Sequence, residues 1–195
     1  MNKELDFFKI EHQNIVPTSG TILISEPFSN DAYFKRSVVL LTLNDEEGSV
    51  GFILNKNVEI PLVDIFGEDL NLDASVSIGG PVSIDRIDYL HTLGSKIPES
   101  KHIIGNIYWG GNFDTVMQLL RLNAIKKDQI RFFLGYSGWS MGQLKNEIDN
   151  NYWLVSHADQ GTIMNRDNNY WRNTLRRLGK NYIPWLNVPE DPQMN

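Results

Sequence analysis

The residues best placed to do chemistry lie in one glycine- and aromatic-rich stretch, Leu134–Leu144 (LGYSGWSMGQL). Gly135-Tyr136-Ser137 begins the G-x-S-x-G pattern, which holds a nucleophilic serine on a strained strand-to-helix turn. Gly138 then comes one residue early, and Trp139 stands where the second glycine is required. Asp149 and His157 follow in Ser…Asp…His order, but at very compressed spacing. The pattern fails at a position it needs, which disfavours a serine nucleophile. A second chemistry for the same stretch is anion binding, because free N–H groups and the dipole at a helix N-terminus favour negative charge. The reading preferred over both is structural: a tight strand-to-helix turn, with Trp139 as a packing wedge.

Other candidate groups are sparser. Of His12, His91, His102 and His157, none forms H-E-x-x-H or another tight metal pair. On a strand, His91 shares a face with Ile87 and Tyr89 while Asp88 points the other way, so this piece alone makes no metal site. Gly79-Gly80-Pro81 and Gly110-Gly111 lack both the dinucleotide and the phosphate-loop signatures and read as turns. A basic cluster, Arg166, Arg172, Arg176, Arg177 and Lys180, is interleaved with Tyr170, Trp171, Tyr182 and Trp185. Such interleaving could suit single-stranded nucleic acid. An amphipathic helix with Trp171, Leu175 and Leu178 on its apolar face explains it without a ligand.

The elements that must position these groups follow from periodicity and turn chemistry. Thr21–Ser25, Ser37–Leu43 and Ser49–Asn55 are β-rich runs, the last two joined by a polar stretch ending in Gly48, a hairpin signal. Val38–Leu41 shows no alternation, as expected of a strand buried on both faces. Ser75–Ile78 and Ile87–Leu93 are further strands. Asn112 is a natural N-cap for a helix over Asn112–Ala124. Ile130–Tyr136 reads as a strand and Ser140–Ile148 as a helix, Ser140 and Gln143 matching an S-x-x-Q capping box. Tyr152–Ser156 is a strand, and Tyr170–Leu178 is a helix that Gly179 is placed to end. Strands first, then interspersed helices without regular βαβ alternation, argue an α+β fold.

Composition bounds the rest. A chain of 195 residues fits one domain, with a core over about 17–187 and a loosely ordered tail, 188–195. With no cysteine there is no disulfide, thiolate metal site or cysteine nucleophile, and a reducing, cytoplasmic setting fits. Glu4, Asp6, Lys9 and Glu11 interrupt the N-terminus where a secretory signal needs an apolar core. The longest aliphatic run, Val38–Leu41, is far shorter than a membrane span. A net charge of −6 disfavours general binding to nucleic acid backbones. No cofactor or metal signature appears.

Several stretches in order resemble the AlgH/YqgE family of bacterial proteins. They are Gly20–Phe28 (GTILISEPF), Asp31 and Phe34 ahead of Ser37–Leu41, Gly51–Asn55 (GFILN), Gly79–Val82 (GGPV) and Leu90-His91. The strongest is Leu134–Trp139 (LGYSGW) followed by Gly142–Leu144 and Glu147. The resemblance covers about residues 17–178. It implies an α+β fold whose bifurcated, mostly antiparallel sheet closes into a barrel-like core flanked by helices. The family's activity is largely uncharacterised, and one branch carries the label of a transcriptional regulator of exopolysaccharide genes. The family commonly has Ala where Ser137 stands, which weakens the nucleophile further. Asn106–Gly111 (NIYWGG) and the tail depart from many members.

Two functional readings follow. The first is a non-enzymatic regulatory or small-ligand- or protein-binding module, an indirect rather than DNA-gripping regulator. Asn55, Gly79, Gly80, Pro81, His91, Gly138, Trp139 and Gln143 are its expected ligand-binding residues. The second is a hydrolase of phosphate- or acyl-containing substrates, with Asn55, Asp31 and His91 as first candidates. Partners are not named by the sequence: a protein partner or a second copy of the chain fits, duplex DNA does not.

Overall fold

A computed structural model describes residues 15–67, 70 and 72–189. His12, the charged residues at 4–11 and all but Val188 and Pro189 of the expected loose tail lie outside them. Among the described residues ten strands form: β1 Thr21–Ser25, β2 Val38–Asn44, β3 Gly48–Ile53, β4 Asn57–Pro61, β5 Ser75–Ile78, β6 Val82–His91, β7 Lys101–Ile104, β8 Ile107–Trp109, β9 Ile130–Ser140 and β10 Trp153–His157. Six α-helices accompany them: α1 Leu62–Phe66, α2 Phe113–Arg121, α3 Gln143–Asp149, α4 Gln160–Ile163, α5 Tyr170–Leu178 and α6 Ile183–Leu186. The chain is therefore mixed α and β, with a large, mostly antiparallel sheet.

The strand order is β10-β1-β2-β3-β9-β6-β8-β7. β9 organises it. One edge of β9 pairs with β6, from His91↔Ile130 to Val82↔Tyr136. The other edge forks: β5 runs parallel to it at Phe133 and Leu134, and β3 runs antiparallel at Ser137–Ser140.

The expected barrel closure does not form. β10 and β7 end the sheet, and no ladder joins them among the described residues. The sheet curls far enough that a Cβ on Gly20, just before β1, would lie 3.1 Å from Ile104 Cβ in β7. The C-terminal helices fill the concave side, where Tyr170, Trp171, Leu175 and Trp185 pack on Ile22, Leu40, Phe52, Leu90 and Ile103. The large aromatics of these helices pack on the sheet where a barrel would turn its own strands inward.

Neighbouring strand residues serve different cores. Ile22, Ile24, Val38 and Leu40 face the C-terminal helices, whereas Leu23, Val39 and Leu41 face Trp139, Leu144 and Trp153. Residues Val38–Leu41 are thus buried on both faces, the condition under which alternation disappears. A third core packs Val116, Met117 and Leu120 of α2 on Tyr89, Ile130 and Phe132.

The stretch read as a strand-to-helix turn is strand almost throughout. β9 continues through Gly135–Ser140, because Gly48–Gly51 supplies a full antiparallel partner for Ser137–Ser140. Helix α3 begins at Gln143, after Gly142 in the left-handed region (φ +73°). Half of the expected capping box exists: the Ser140 N–H donates to Gln143 Oε1 at 3.0 Å, but Ser140 is not the N-cap. Elsewhere local signals hold. Asn112 Oδ1 accepts the Thr115 N–H at the start of α2, and Gly179 (φ +109°) ends α5.

Candidate functional site

Two concave surfaces lie along β6, and Arg86, which lines the second, sits 5.7 Å from the ring centroid of Tyr136, which lines the first. The first is a trough of roughly 380 Å³ whose lining includes Asp45, Glu47, Val82, Tyr136, Gly138 and Trp139. Gly138, paired with Val50, lets the Tyr136 ring lie close: a Cβ there would stand 3.2 Å from Tyr136 Cε2. Trp139 is nearly all buried. Its indole stacks near Phe34 (centroids 6.1 Å apart) and donates to Glu147 Oε2 at 2.8 Å. Trp153 donates to the same oxygen at 2.8 Å, and Gln143 Nε2 donates to Oε1 at 2.9 Å. Glu147 thereby ties α3 to β9 and β10.

The second surface is a cleft of roughly 410 Å³ between β6 and the β8–α2 turn. Arg86 and Asp88, two residues apart on β6, share a face and form an ion pair: Arg86 Nη2 donates to Asp88 Oδ1 at 2.9 Å, while Nε lies 2.8 Å from Oδ2, a buried oxygen with no hydrogen-bond partner among the described residues. The Asp88 carboxylate is buried, and Trp109 Nε1 also donates to its Oδ1, at 3.1 Å. Lys101 Nζ sits 5.9 Å from the Trp109 ring centroid, within cation–π range. Tyr89 donates its hydroxyl to Gly111 O at 2.8 Å. Burial, then the Asp88 charge, pushes its pKa up to about 12. Gly110 has open space where a Cβ would stand, so backbone is accessible at the rim. Phe113 is a partly exposed apolar flank.

The expected ligand-binding residues divide among several places. Gly138 and Trp139 line the trough. Gly79 and Gly80 lie beneath its β6 side: Gly79 O accepts the Ser137 hydroxyl at 3.0 Å, and a Cβ on Gly79 would strike Gly135 O. Pro81 is exposed beside them. Gln143 braces Glu147 from outside. Asn55 is a clasp, accepting the Val38 N–H at 2.9 Å and donating to Arg36 O at 2.8 Å. His91 is fully buried under the cleft. Its Nδ1 accepts the Leu93 N–H at 3.2 Å, which puts the ring proton on Nε2, facing Gly110 O at 3.1 Å and Ser100 Oγ at 3.0 Å. Burial lowers its pKa and the Gly110 bond offsets this in part, so the imidazole is neutral near pH 7. Gly79 touches β9 beside Gly138, through the Ser137 hydroxyl, whereas Gly110 belongs to the other surface.

Asn55, Asp31 and His91 are each engaged by backbone, Asp31 by the Tyr33 and Phe34 N–H groups, and no hydrogen bond links them. Ser137 is buried mid-strand with its hydroxyl given to Gly79 O, not presented on an elbow. The aromatics among the C-terminal arginines, Tyr170, Trp171, Tyr182 and Trp185, are all core residues and offer no face to a base. No three His, Asp or Glu side chains gather as a metal set among the described residues, nor is any helix long and apolar enough to cross a membrane.

Sequence reasoning missed Arg86, Lys101 and Trp109, whose cleft assembles from three strands. The spacing Arg86-x-Asp88 was the available signal. It also missed Arg131, which lies fully buried in the apolar run of β9.

A family model described as AlgH-like matches residues 22–183. The chain is 41% identical over 194 residues to a UPF0301 protein of Parabacteroides distasonis, covering 97% of this chain and 98% of that one. It is 43% identical over 198 residues to a UPF0301 protein of Bacteroides thetaiotaomicron, covering both in full. Among solved structures, protein DIP2367 of Corynebacterium diphtheriae superposes with a TM-score of 0.74 at 18% identity, covering 92% of this chain and 95% of that one. The AlgH protein of Pseudomonas aeruginosa gives 0.69 at 25% identity, with 91% and 98% covered.

Proposed function

The chain belongs to the AlgH-like family, and on that premise we propose that it is a single-domain small-ligand-binding module whose seat is the Trp109 cleft. The ligand class is a planar anion, such as a nucleoside monophosphate. One observation carries this: an indole pinned edge-on by Asp88 with a lysine ammonium over its ring. An aromatic face offers stacking to a flat ring system, and Lys101 offers charge to its acidic group. The open backbone at Gly110 leaves room for close approach.

In this reading the protein is a cytoplasmic regulator that acts indirectly, through ligand occupancy rather than by gripping duplex DNA. The absence of cysteine suits that compartment. The acidic balance and the buried aromatics beside the basic helix argue against a nucleic acid groove.

The test is a titration with adenosine monophosphate, followed on the Trp109 indole N–H resonance. Binding should move that resonance saturably, and calorimetric titration of Trp109→Ala, which has no such resonance, should show binding weakened roughly tenfold or more, the scale of one lost stacking contact. An unmoved indole resonance up to about 10 mM, the limit of weak specific affinity, refutes the seat.

A further inference from the structure

We propose that Arg166, backed by Arg131, forms an oxyanion site at the fork of the sheet, separate from the Trp109 cleft, that takes a phosphate or carboxylate group with the help of Asn168. Arg131 is fully buried where β5 and β3 diverge from β9. Its guanidinium donates only to neutral acceptors: Leu54 O, Ile163 O, Asn165 O, Ser77 Oγ and Asn57 Oδ1. No carboxylate pairs with it among the described residues. Buried arginines ordinarily have such a partner, because an unpaired charge is costly away from water.

A second guanidinium stands close by. Arg166, half-buried, donates from Nη1 to Ser75 Oγ at 2.8 Å. Its Nη2 is shielded from solvent and has no hydrogen-bond partner. The positive charge of Arg166 adds to burial in lowering the Arg131 pKa, so the two cations sense each other. The charge that favours Arg166 is that of Asp73, which is fully exposed and pairs with Lys127 at 3.3 Å. The chain carries 24 acidic and 18 basic residues, yet neither arginine has an ion-pair partner among the described residues.

The rim supplies neutral donors. Asn57 Nδ2 donates to Asn168 Oδ1 at 2.6 Å, which leaves the exposed Asn168 carboxamide with its own N–H groups to offer. An oxyanion on the solvent side of Arg166 would neutralise both cations. A small rotation of the guanidinium would give Nη2 the acceptor it lacks, forming the two-point contact that arginine makes with phosphate and carboxylate. Asn168 would supply a third hydrogen bond.

Thermal unfolding in inorganic phosphate and in acetate, each against chloride at matched ionic strength, tests this and separates the two sources of oxyanion. At about ten times its dissociation constant, the bound anion should raise the wild-type Tm by roughly 3–6 °C. Arg166→Gln should abolish the rise. Lys101→Gln, in the other cleft, should keep it, so failure here is distinguishable from failure of the Trp109 seat. A rise shared by Arg166→Gln, or no rise with either anion, overturns the proposal. Should Arg166→Gln fold poorly, the wild-type protein still decides: phosphate or acetate must shift the side-chain amide resonances of Asn57 and Asn168, and unmoved resonances overturn the site.

Discussion

Replacing Arg131 tests how the fork of the sheet is held. The side chain makes six hydrogen bonds to five acceptors contributed by β4, β5, the residue after β3, the end of α4 and the segment that follows it. Ser77 and Asn57 already bond each other at 2.9 Å and can re-pair without it. The buried carbonyls of Leu54 and Ile163 depend on it, whereas that of Asn165, an exposed residue, can turn to water. Each orphaned buried carbonyl costs about 1–3 kcal/mol. Relief of the buried charge returns several kcal/mol, so Arg131→Met should lose about 3 kcal/mol net. That is a large share of a domain stability of about 5–15 kcal/mol, and it corresponds to a Tm drop of roughly 6–12 °C. Arg131→Lys separates charge from donors. The ammonium keeps the cost of burial but carries three donors in place of a planar five. Lys should therefore be at least as damaging as Met. Urea denaturation followed by tryptophan fluorescence and circular dichroism gives both values. A Lys variant close to wild type, or both variants within about 1 kcal/mol of it, refutes the view of Arg131 as a five-donor hub.

Three further outcomes are expected. Glu147→Ala strips the acceptor from Trp139, Trp153 and Gln143 together; it should cost about 2–4 kcal/mol and diminish the near-ultraviolet dichroism of the indoles. Gly79→Ala places a methyl against Gly135 O and should lose more than about 3 kcal/mol or fail to fold, whereas Gly142→Ala, with open space but positive φ, should lose only about 1 kcal/mol; soluble yield and Tm compare them. His91 is buried neutral, so its folded-state pKa lies below the unfolded value and the unfolded chain binds more protons as pH falls. The stability it contributes is intact above about pH 6.5 and declines below it, by at most about 1.4 kcal/mol per unit. His91→Gln should accordingly be less damaging, relative to wild type, at about pH 5 than at pH 7.5.

Much of the fold was legible where a few neighbouring residues decide the outcome. The hairpin through Gly48, the double burial of Val38–Leu41, the Asn112 cap and the Gly179 stop all follow from side chains within a turn or a strand of each other. Legibility failed at β4, β7 and β8, where short polar or mixed segments become strands only because a partner lies alongside. It failed also along β9. Glycines at 135 and 138 signal a turn, yet β3 and β6 supply ladders on both sides and Gly79 and Gly80 need the bare backbone of β9 to pass. Of the candidate site, Gly138 and Trp139 were found through their motif. The Trp109 cleft was not, because its members lie on β6, β7 and the end of β8 and meet only across the sheet.

By itself, the sequence determined the class of the chain, its family, its caps and its doubly buried strands, since each rests on local stereochemistry or on the order of short motifs. Tertiary structure alone decided that the sheet forks at β9 and stays open, that two tryptophans converge on Glu147, and that Arg131 lies buried among carbonyls with Arg166 beside it. The physical reason is separation: Arg131 draws its acceptors from Leu54 through Asn165. No local pattern encodes such a meeting, which exists only once the strands between have paired.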